Sequence, residues 1–405
     1  MKKHMILAAV AALTLASCAK IDTFTVSEND GNMPIGFTNY APKSLTKADA
    51  DTYASGTTLV EGADFSVWGW STENGTSFNG TNGTAFFGNP GKWYGVTYDD
   101  EGGAGTDGSA NTYNDGVRYW PSGDSPAWLS FYAYYPSNAT TYITDTPDGL
   151  GEFEFTVAEA AEDQVDFMVA DVVPNQVYGS TNASPTNPGT VNFTFKHQLT
   201  KVQVKFKTTQ SIVDDANTNI TVNSAAFGNI KNSGTLTVSY LQKDNTGKFS
   251  DETGYSSSAT PLTYGTRTAW SAVTGTAEYT IAVPSGNLNA TAANSGADAD
   301  DIFLLVPQTM TGPTRDGTTG AVTSDTGAQY IDVAWTVTTD GVATANTKRI
   351  YLDECTNEAG TAQANIDWAK NNFITYVITI APRQILFTGA VTGWDDETFG
   401  YFSVN

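Results

Sequence analysis

VNFTFKHQLTKVQVKFK, residues 191–207, keeps its apolar residues on odd positions through Val191, Phe193, Phe195 and Leu199, then on even positions at Val202, Val204 and Phe206. Side chains on a strand alternate between two faces, so each half reads as a strand with one buried face. The change of parity requires a bulge, or a crossing from one sheet to another, near Thr200.

Working outward, the same two-residue period recurs at Leu236-Val238-Tyr240, Tyr279-Ile281-Val283 and Ile331-Val333-Trp335-Val337. Ile302–Val306, Phe373–Ile380 and Ile385–Phe387 are denser in apolar residues, as inner strands are. Upstream, Phe65–Trp70 and Asp166–Ala170 read as strands, and Trp128–Pro136, apolar at both parities, as a central strand packed on either side. NGTSFNGTNGT, residues 74–84, holds three Asn-Gly pairs suited to turns with φ > 0 and reads as a hairpin tip. The acidic, glycine-rich YDDEGGAGTDG, 98–108, reads as another loop. Helix is limited to short pieces at 157–164 and 365–371.

With 38 glycines, 12% aromatic and only 16% charged residues, this is the composition of many short strands joined by tight turns, an all-β chain. NQVYGSTNASPTNPGT, 175–190, marks a shift in composition and places a boundary near its end. Two tandem β-sandwiches, 48–188 and 189–405, are the economical architecture.

The N-terminus has a different character. After Met1-Lys2-Lys3-His4, the apolar run Met5–Ala16 would cover roughly 18 Å as a helix, short of the ~30 Å hydrocarbon core. Residues 1–17 therefore read as a secretory signal peptide. Leu15-Ala16-Ser17-Cys18 resembles the lipobox of bacterial lipoproteins, which implies that Cys18 carries lipid. Several acyl chains, at ~0.8 kcal/mol per buried methylene, anchor a protein without a spanning helix. Residues 19–47 read as extended: Ile35-Gly36-Phe37 can pair as a strand, and 42–47 form a polar, protease-accessible segment.

The formal net charge is −23; without residues 1–47 it is −25, from 15 basic and 40 acidic residues. That surface repels phosphate backbones, which excludes nucleic acid as a partner. With Cys18 lipidated or removed, Cys355 is the one thiol left, so no intrachain disulfide forms and the core must carry the stability. Its acidic setting disfavours a thiolate and marks a buried structural cysteine.

No catalytic residues, metal site or cofactor can be assigned. His197 shares the parity of Val191, Phe193 and Phe195 and reads as a core histidine, so a Ser-His-Asp triad or a histidine metal site has nothing to stand on. Carboxylates are too numerous to exclude a glycosidase by counting, yet nothing singles out a pair. GADADD, 296–301, lacks the spacing of a calcium loop and reads as a solvated acidic loop. There is neither a P-loop nor a dinucleotide-binding glycine motif. The aromatics Trp68, Trp70, Trp120 and Trp128, with Tyr132 and Tyr134, admit two uses: core packing, or a flat platform on which sugar rings stack. Exposure separates the two.

Taken in order, several features resemble the fimbrillin, or type V pilin, superfamily of Gram-negative anaerobes. They are the lipobox, a basic-Ala site at Lys47-Ala48, Phe65-Ser66-Val67-Trp68, Trp120-Pro121 with an aromatic strand ending in Tyr135-Pro136, DFMVA (166–170), FKHQLTKV (195–202), IFLLVPQ (302–308) and VTGW (391–394). The resemblance implies two transthyretin-like β-sandwich domains and an assembly route. A lipoprotein precursor reaches the outer membrane, a trypsin-like protease cuts after a basic residue, and the lipid and first strand (18–47) leave. A strand of the next subunit then fills the groove. Here the cut falls at Thr46-Lys47-Ala48, with lysine where the family usually has arginine.

Physically, an opened sandwich offers unpaired N–H and C=O groups beside an apolar slot, a template for an incoming strand. The tail holds Phe399, Tyr401, Phe402 and Val404 and either donates such a strand or closes its own sheet. The expectation is a non-enzymatic pilus subunit serving adhesion, with other subunits as partners and an outer-membrane, lipid-anchored precursor. The alternative is a retained surface lipoprotein that binds glycans or anchors the fimbria.

Overall fold

A computed structural model describes residues 35–40, 64–86, 94–97, 120–122, 125–136, 152–178, 186–187, 190–258, 260, 262–293, 302–355, 367–382 and 384–393. Strands are numbered in chain order. The largest sheet runs β1 (Gly36–Tyr40), β10 (Thr190–His197), β7 (Met168–Ala170), β5 (Trp128–Tyr135), β2 (Asp64–Thr72) and β3 (Thr84–Ala85). β4 (Tyr94–Thr97), β8 (Val173–Tyr178) and β9 (Thr186–Asn187) join at its margins. A second sheet has the order β16 (Ile302–Leu305), β11 (Thr200–Thr208), β21 (Asn372–Ala381) and β22 (Gln384–Gly393). A third has the order β15 (Ala277–Ile281), β12 (Thr218–Ile230), β19 (Tyr330–Thr339) and β20 (Val342–Tyr351). β14 (Thr263–Thr274), β13 (Ser233–Lys243) and β6 (Glu152–Thr156) make a fourth, and β17 (Thr314–Arg315) with β18 (Val322–Ser324) a small ribbon.

The chain is all-β. Among the described residues the α-helix is one turn, Gln210–Val213, which no periodicity had marked. The short helix expected at 157–164 is a 3₁₀ turn at Ala161–Asp163, and described residues 367–371 contain none.

The parity change near Thr200 is a crossing between sheets. Val191, Phe193 and Phe195 of β10 face one core, and Leu199, Val202, Val204 and Phe206, leading into and along β11, face another. Gln198 lies at the crossing; its N–H donates to the Phe167 carbonyl (2.9 Å), and its carbonyl accepts from Trp270 Nε1 (2.7 Å). The Leu199 carbonyl accepts from the N–H of Asn371 (2.9 Å). Two pairings run across the expected division at 188/189: β10 joins β7 in the first sheet, and β6 pairs with β13.

The first sheet is covered on both faces, as the two-faced run 128–136 predicts. Phe65, Val67, Leu129, Phe131 and Ala133 point into the smaller core, while Trp68, Trp70, Tyr132 and Tyr134 point into the larger. There Tyr134 meets Phe153 of β6 (5.3 Å between centroids). The second and third sheets face each other across the rest of the larger core, where Phe227 of β12 packs on Phe303 of β16 (5.5 Å) and on Trp368 (6.0 Å).

The 74–84 loop is more than a hairpin tip. Phe78 is 1% exposed and stacks between Trp70 (5.2 Å) and Tyr240 (5.6 Å), and its N–H donates to Asn175 Oδ1 (2.8 Å). Gly80 turns with φ +94°, and a Cβ there would lie 2.8 Å from the Tyr240 carbonyl oxygen, so only glycine fits.

Sheet edges are treated unequally. On β16, Gln164 Oε1 accepts from the N–H of Leu304 (2.8 Å). On β14, Lys370 Nζ donates to the carbonyl and hydroxyl of Thr268, and Thr266 Oγ1 accepts from the N–H of Val172 (2.7 Å). Side chains thus occupy backbone groups that a foreign strand would use. β20 has β19 on one side, and Val342 at its start is 68% exposed.

Phe78→Ala is expected to cost about 3–5 kcal/mol by urea unfolding, as deletion of a buried ring does. Val342→Ala, at an exposed site, should stay within about 0.5 kcal/mol.

Candidate functional site

β10 begins with Thr190-Val191-Asn192-Phe193-Thr194, and its apolar residues rest on a lattice of rings behind it. Phe65 meets Phe193 (6.1 Å) and Phe195 (5.6 Å), both edge-to-face. Along its length β10 has different neighbours. β7 pairs with Phe195, Lys196 and His197, whereas β1 pairs in parallel with Thr190–Thr194, Gly36 opposite Thr190 and Tyr40 opposite Thr194. β1 thus forms the margin of the sheet along the first half of β10, where the Thr194 carbonyl also accepts from the N–H of Asp171 (3.1 Å). Ile35, just before β1, is fully buried in the same core as Val191 and Phe193. The strand expected at Ile35-Gly36-Phe37 is present and closes this edge.

Cys18, Lys47 and Ala48 lie outside the described residues, as do 98–108, 296–301 and the tail 394–405.

The four tryptophans are not gathered on one surface. Trp68 and Trp70 lie buried in the larger core with their rings 5.7 Å apart. Trp120 is buried on the opposite side of the first sheet, edge-on to Phe131 (5.9 Å). Trp128, at the start of β5, is half-buried. Tyr132 and Tyr134 are buried too. Rings in this arrangement fill two cores and present no shared face to a sugar.

His197 Nδ1 lies 2.7 Å from Asp166 Oδ2, and both side chains have no solvent exposure. The pair joins the end of β10 to the residue two before β7, and a substrate arriving from solvent has no access to it. Cys355 is buried, and burial pushes its thiol up to about 12. Arg349 is held by Asp332 (2.7 and 2.9 Å) and Asp325 (2.6 Å) and lies over the Tyr330 ring (3.6 Å), an exposed network that braces β19 against β20.

Phe78 and Gln164 escaped the sequence reading. Phe78 had a signal, being the one large apolar residue in a polar loop; Gln164 had none, since its role depends on where Leu304 lies.

The chain is thus all-β, its sheets packed on two cores, with His197, Asp166 and Cys355 buried and β1 closing the sheet beside β10. Residues 46–394 match the fimbrillin-like family, and the chain belongs to that family. It is a structural fimbrial subunit, not an enzyme, and works with other subunits in a cell-surface appendage. Among solved structures it is similar to a fimbrial protein of Bacteroides vulgatus at 16% identity and a TM-score of 0.49, covering 89% of this chain and 99% of that one. It is also similar to the C-terminally truncated tip fimbrial protein Mfa3 of Porphyromonas gingivalis, at 9% identity and a TM-score of 0.39, covering 89% and 100%. No curated protein matches the chain.

In a chain beginning at Ala48, whose single thiol is Cys355, no reaction with a disulfide reagent is expected at pH 8 until denaturant is added, when one equivalent should react. Release of colour from the folded protein would contradict this burial.

Proposed function

We propose that the protein is exported as a lipoprotein with lipid on Cys18, reaches the outer membrane, and is cut between Lys47 and Ala48. The cut separates β1 from the rest of the chain. A strand of the next subunit then takes its place on β10, and the resulting filament serves adhesion. The observation that carries this reading is the parallel pairing of β1, which lies N-terminal to Lys47, with Thr190–Thr194 of β10, at the margin of the first sheet.

Losing β1 removes the ladder pairing of Thr190–Thr194 of β10. It also removes Ile35 from the core, where its burial contributes about 1.5–3 kcal/mol. An edge bare of partners and flanked by an apolar slot binds an extended segment through main-chain hydrogen bonds, with alternate side chains filling the slot. Because the donated strand and the vacated edge are different surfaces, the contact is head-to-tail and grows without closing. Lysine in place of arginine keeps the positive charge that a trypsin-like pocket reads. The buried tryptophans weigh against a glycan platform as the purpose of the aromatics.

The N-terminal sequence and intact mass of the protein from the cell surface test the proposal. A chain starting at Ala48 without lipid, running as ladders that collapse on heating, is expected; Lys47→Gln should abolish both. A lipidated chain starting at Cys18 would instead make the protein a retained lipoprotein or an anchor. Ile35→Ala should loosen β1 and raise the rate of cleavage after Lys47 at least severalfold, measured by mass spectrometry during limited trypsin digestion.

A further inference from the structure

The third sheet ends in β20, ten residues long and free of proline, whereas the edges of β16 and β14 carry capping side chains. Its register on β19 runs without a bulge from Val342 to Tyr351. Two hydrogen bonds beside this ladder fix which backbone groups point outward. The N–H of Leu352 donates to the Gln329 carbonyl (2.9 Å), and on the other side of β19 the N–H of Asp340 donates to the Asn217 carbonyl (2.9 Å). Backbone groups alternate sides along a strand, so both bonds lead to the same count: even-numbered residues of β20 bond to β19. Ala343, Ala345, Thr347 and Arg349 therefore direct their N–H and C=O groups away from the sheet, and all four residues are exposed. Among the described residues no strand pairs with that side of β20.

This edge is complementary to itself. When two β20 strands meet antiparallel, only residues that both point outward exchange hydrogen bonds, so odd positions must face odd positions. A two-fold axis at Asn346 meets that condition. Ala345 then faces Thr347 of the second copy and Ala343 faces Arg349, a small side chain against a larger one each time. On the other face of the strand, Thr344 meets Lys348, and Val342, 68% exposed in the single chain, gains Ile350 as an apolar neighbour. An axis at Lys348 would set like charges face to face. With the axis at Asn346 the two Lys348 residues stand four positions apart, ~14 Å along the strand, beyond the ~8 Å Debye length at physiological salt. A cleft of about 250 Å³ beside the edge is lined by Val337, Thr339, Val342, Thr344, Asn346 and Pro382. Lys348 of the second copy, opposite Thr344, lays its aliphatic stem over it.

We propose that β20 is a self-association edge, on which a second copy of this chain docks its own β20 antiparallel about a two-fold axis at Asn346. The two four-stranded third sheets thereby become one continuous sheet. The contact presents the same surface from both copies and closes on itself, so it joins subunits side by side and does not lengthen a filament. Pairing of two chains does not depend on strand exchange. Its consequence in the assembled fibre, that neighbouring filaments adhere laterally through rows of such edges, rests on that reading.

Cysteine cross-linking tests the register on uncleaved full chain carrying Cys18→Ser, in which the other native thiol, Cys355, is buried. On the axis, two Asn346→Cys residues form a non-hydrogen-bonded pair with Cα atoms ~4.5 Å apart, within the ~4.4–6.8 Å of a disulfide. Two Thr344→Cys residues lie ~14 Å apart along the strand and cannot be bridged. Under mild oxidation Asn346→Cys should give at least about tenfold more disulfide dimer than Thr344→Cys. Ala345→Pro removes an outward N–H from each copy and leaves the ladder to β19 intact. It should raise the dimer dissociation constant, read by sedimentation, about tenfold. Absence of dimer from Asn346→Cys, or equal amounts from the two cysteine variants, overturns the proposal, and so does an unchanged dissociation constant for Ala345→Pro. Heat-sensitive ladders are scored separately on cleaved protein, so failure of strand exchange and failure of edge pairing give different results.

Discussion

Everything in this fold hangs on the alternation of side chains through residues 191–207. A strand has two faces, and β10 gives one of them to the smaller core; two residues after His197 the chain must serve a different core. A slip of one residue on either side of Gln198 would turn Phe193 and Phe195, or Val202 and Val204, away from their partners. The hydrogen bonds made by Gln198, and the one Leu199 accepts from Asn371, hold that change of sheet in place. His197 and Asp166 tie its upstream side to the approach to β7.

From that crossing follows the unequal status of the edges. The first sheet is sandwiched, so its strands gain from both faces, and the strand that forms its margin beside β10 comes from more than 150 residues earlier. Elsewhere single side chains do the work of a neighbouring strand. Gln164 and Lys370 each occupy a backbone group that would otherwise invite pairing. Burial, with Arg267 and Lys196 nearby, lowers the Lys370 amine to about 8, the electrostatic cost of placing a cation there.

Period-two patterning was enough to read the strands of the second sheet, β15 and β19 of the third, the two-faced β5 and the crossing near Thr200, because each is a local property of the chain; β12 and β20 carried no such reading. The site was half legible. Ile35-Gly36-Phe37 announced a strand, but its partner, 154 residues away, is a tertiary choice that alternation does not encode. The tryptophans show the same boundary: pattern identified Trp68 and Trp70 as large inward residues or a platform, and only the sheet stacking decides that they and Trp120 serve different cores. β6 pairing with β13, and Phe78 folding into the core from a polar loop, are likewise long-range outcomes.

The parallel register of β1 on β10 carries a kinetic meaning. Closing a loop of that length costs entropy before any of the five pairings repays it. The remaining strands of the first sheet connect over shorter spans, so β1 is placed to join after them. Segments with few packed neighbours open at low free energy, and β1 has one ladder neighbour, β10. Of the smaller core's buried residues, Ile35 alone comes from this late-closing segment; the others lie at residue 65 or beyond, so that core is built almost wholly from chain that closes over shorter spans.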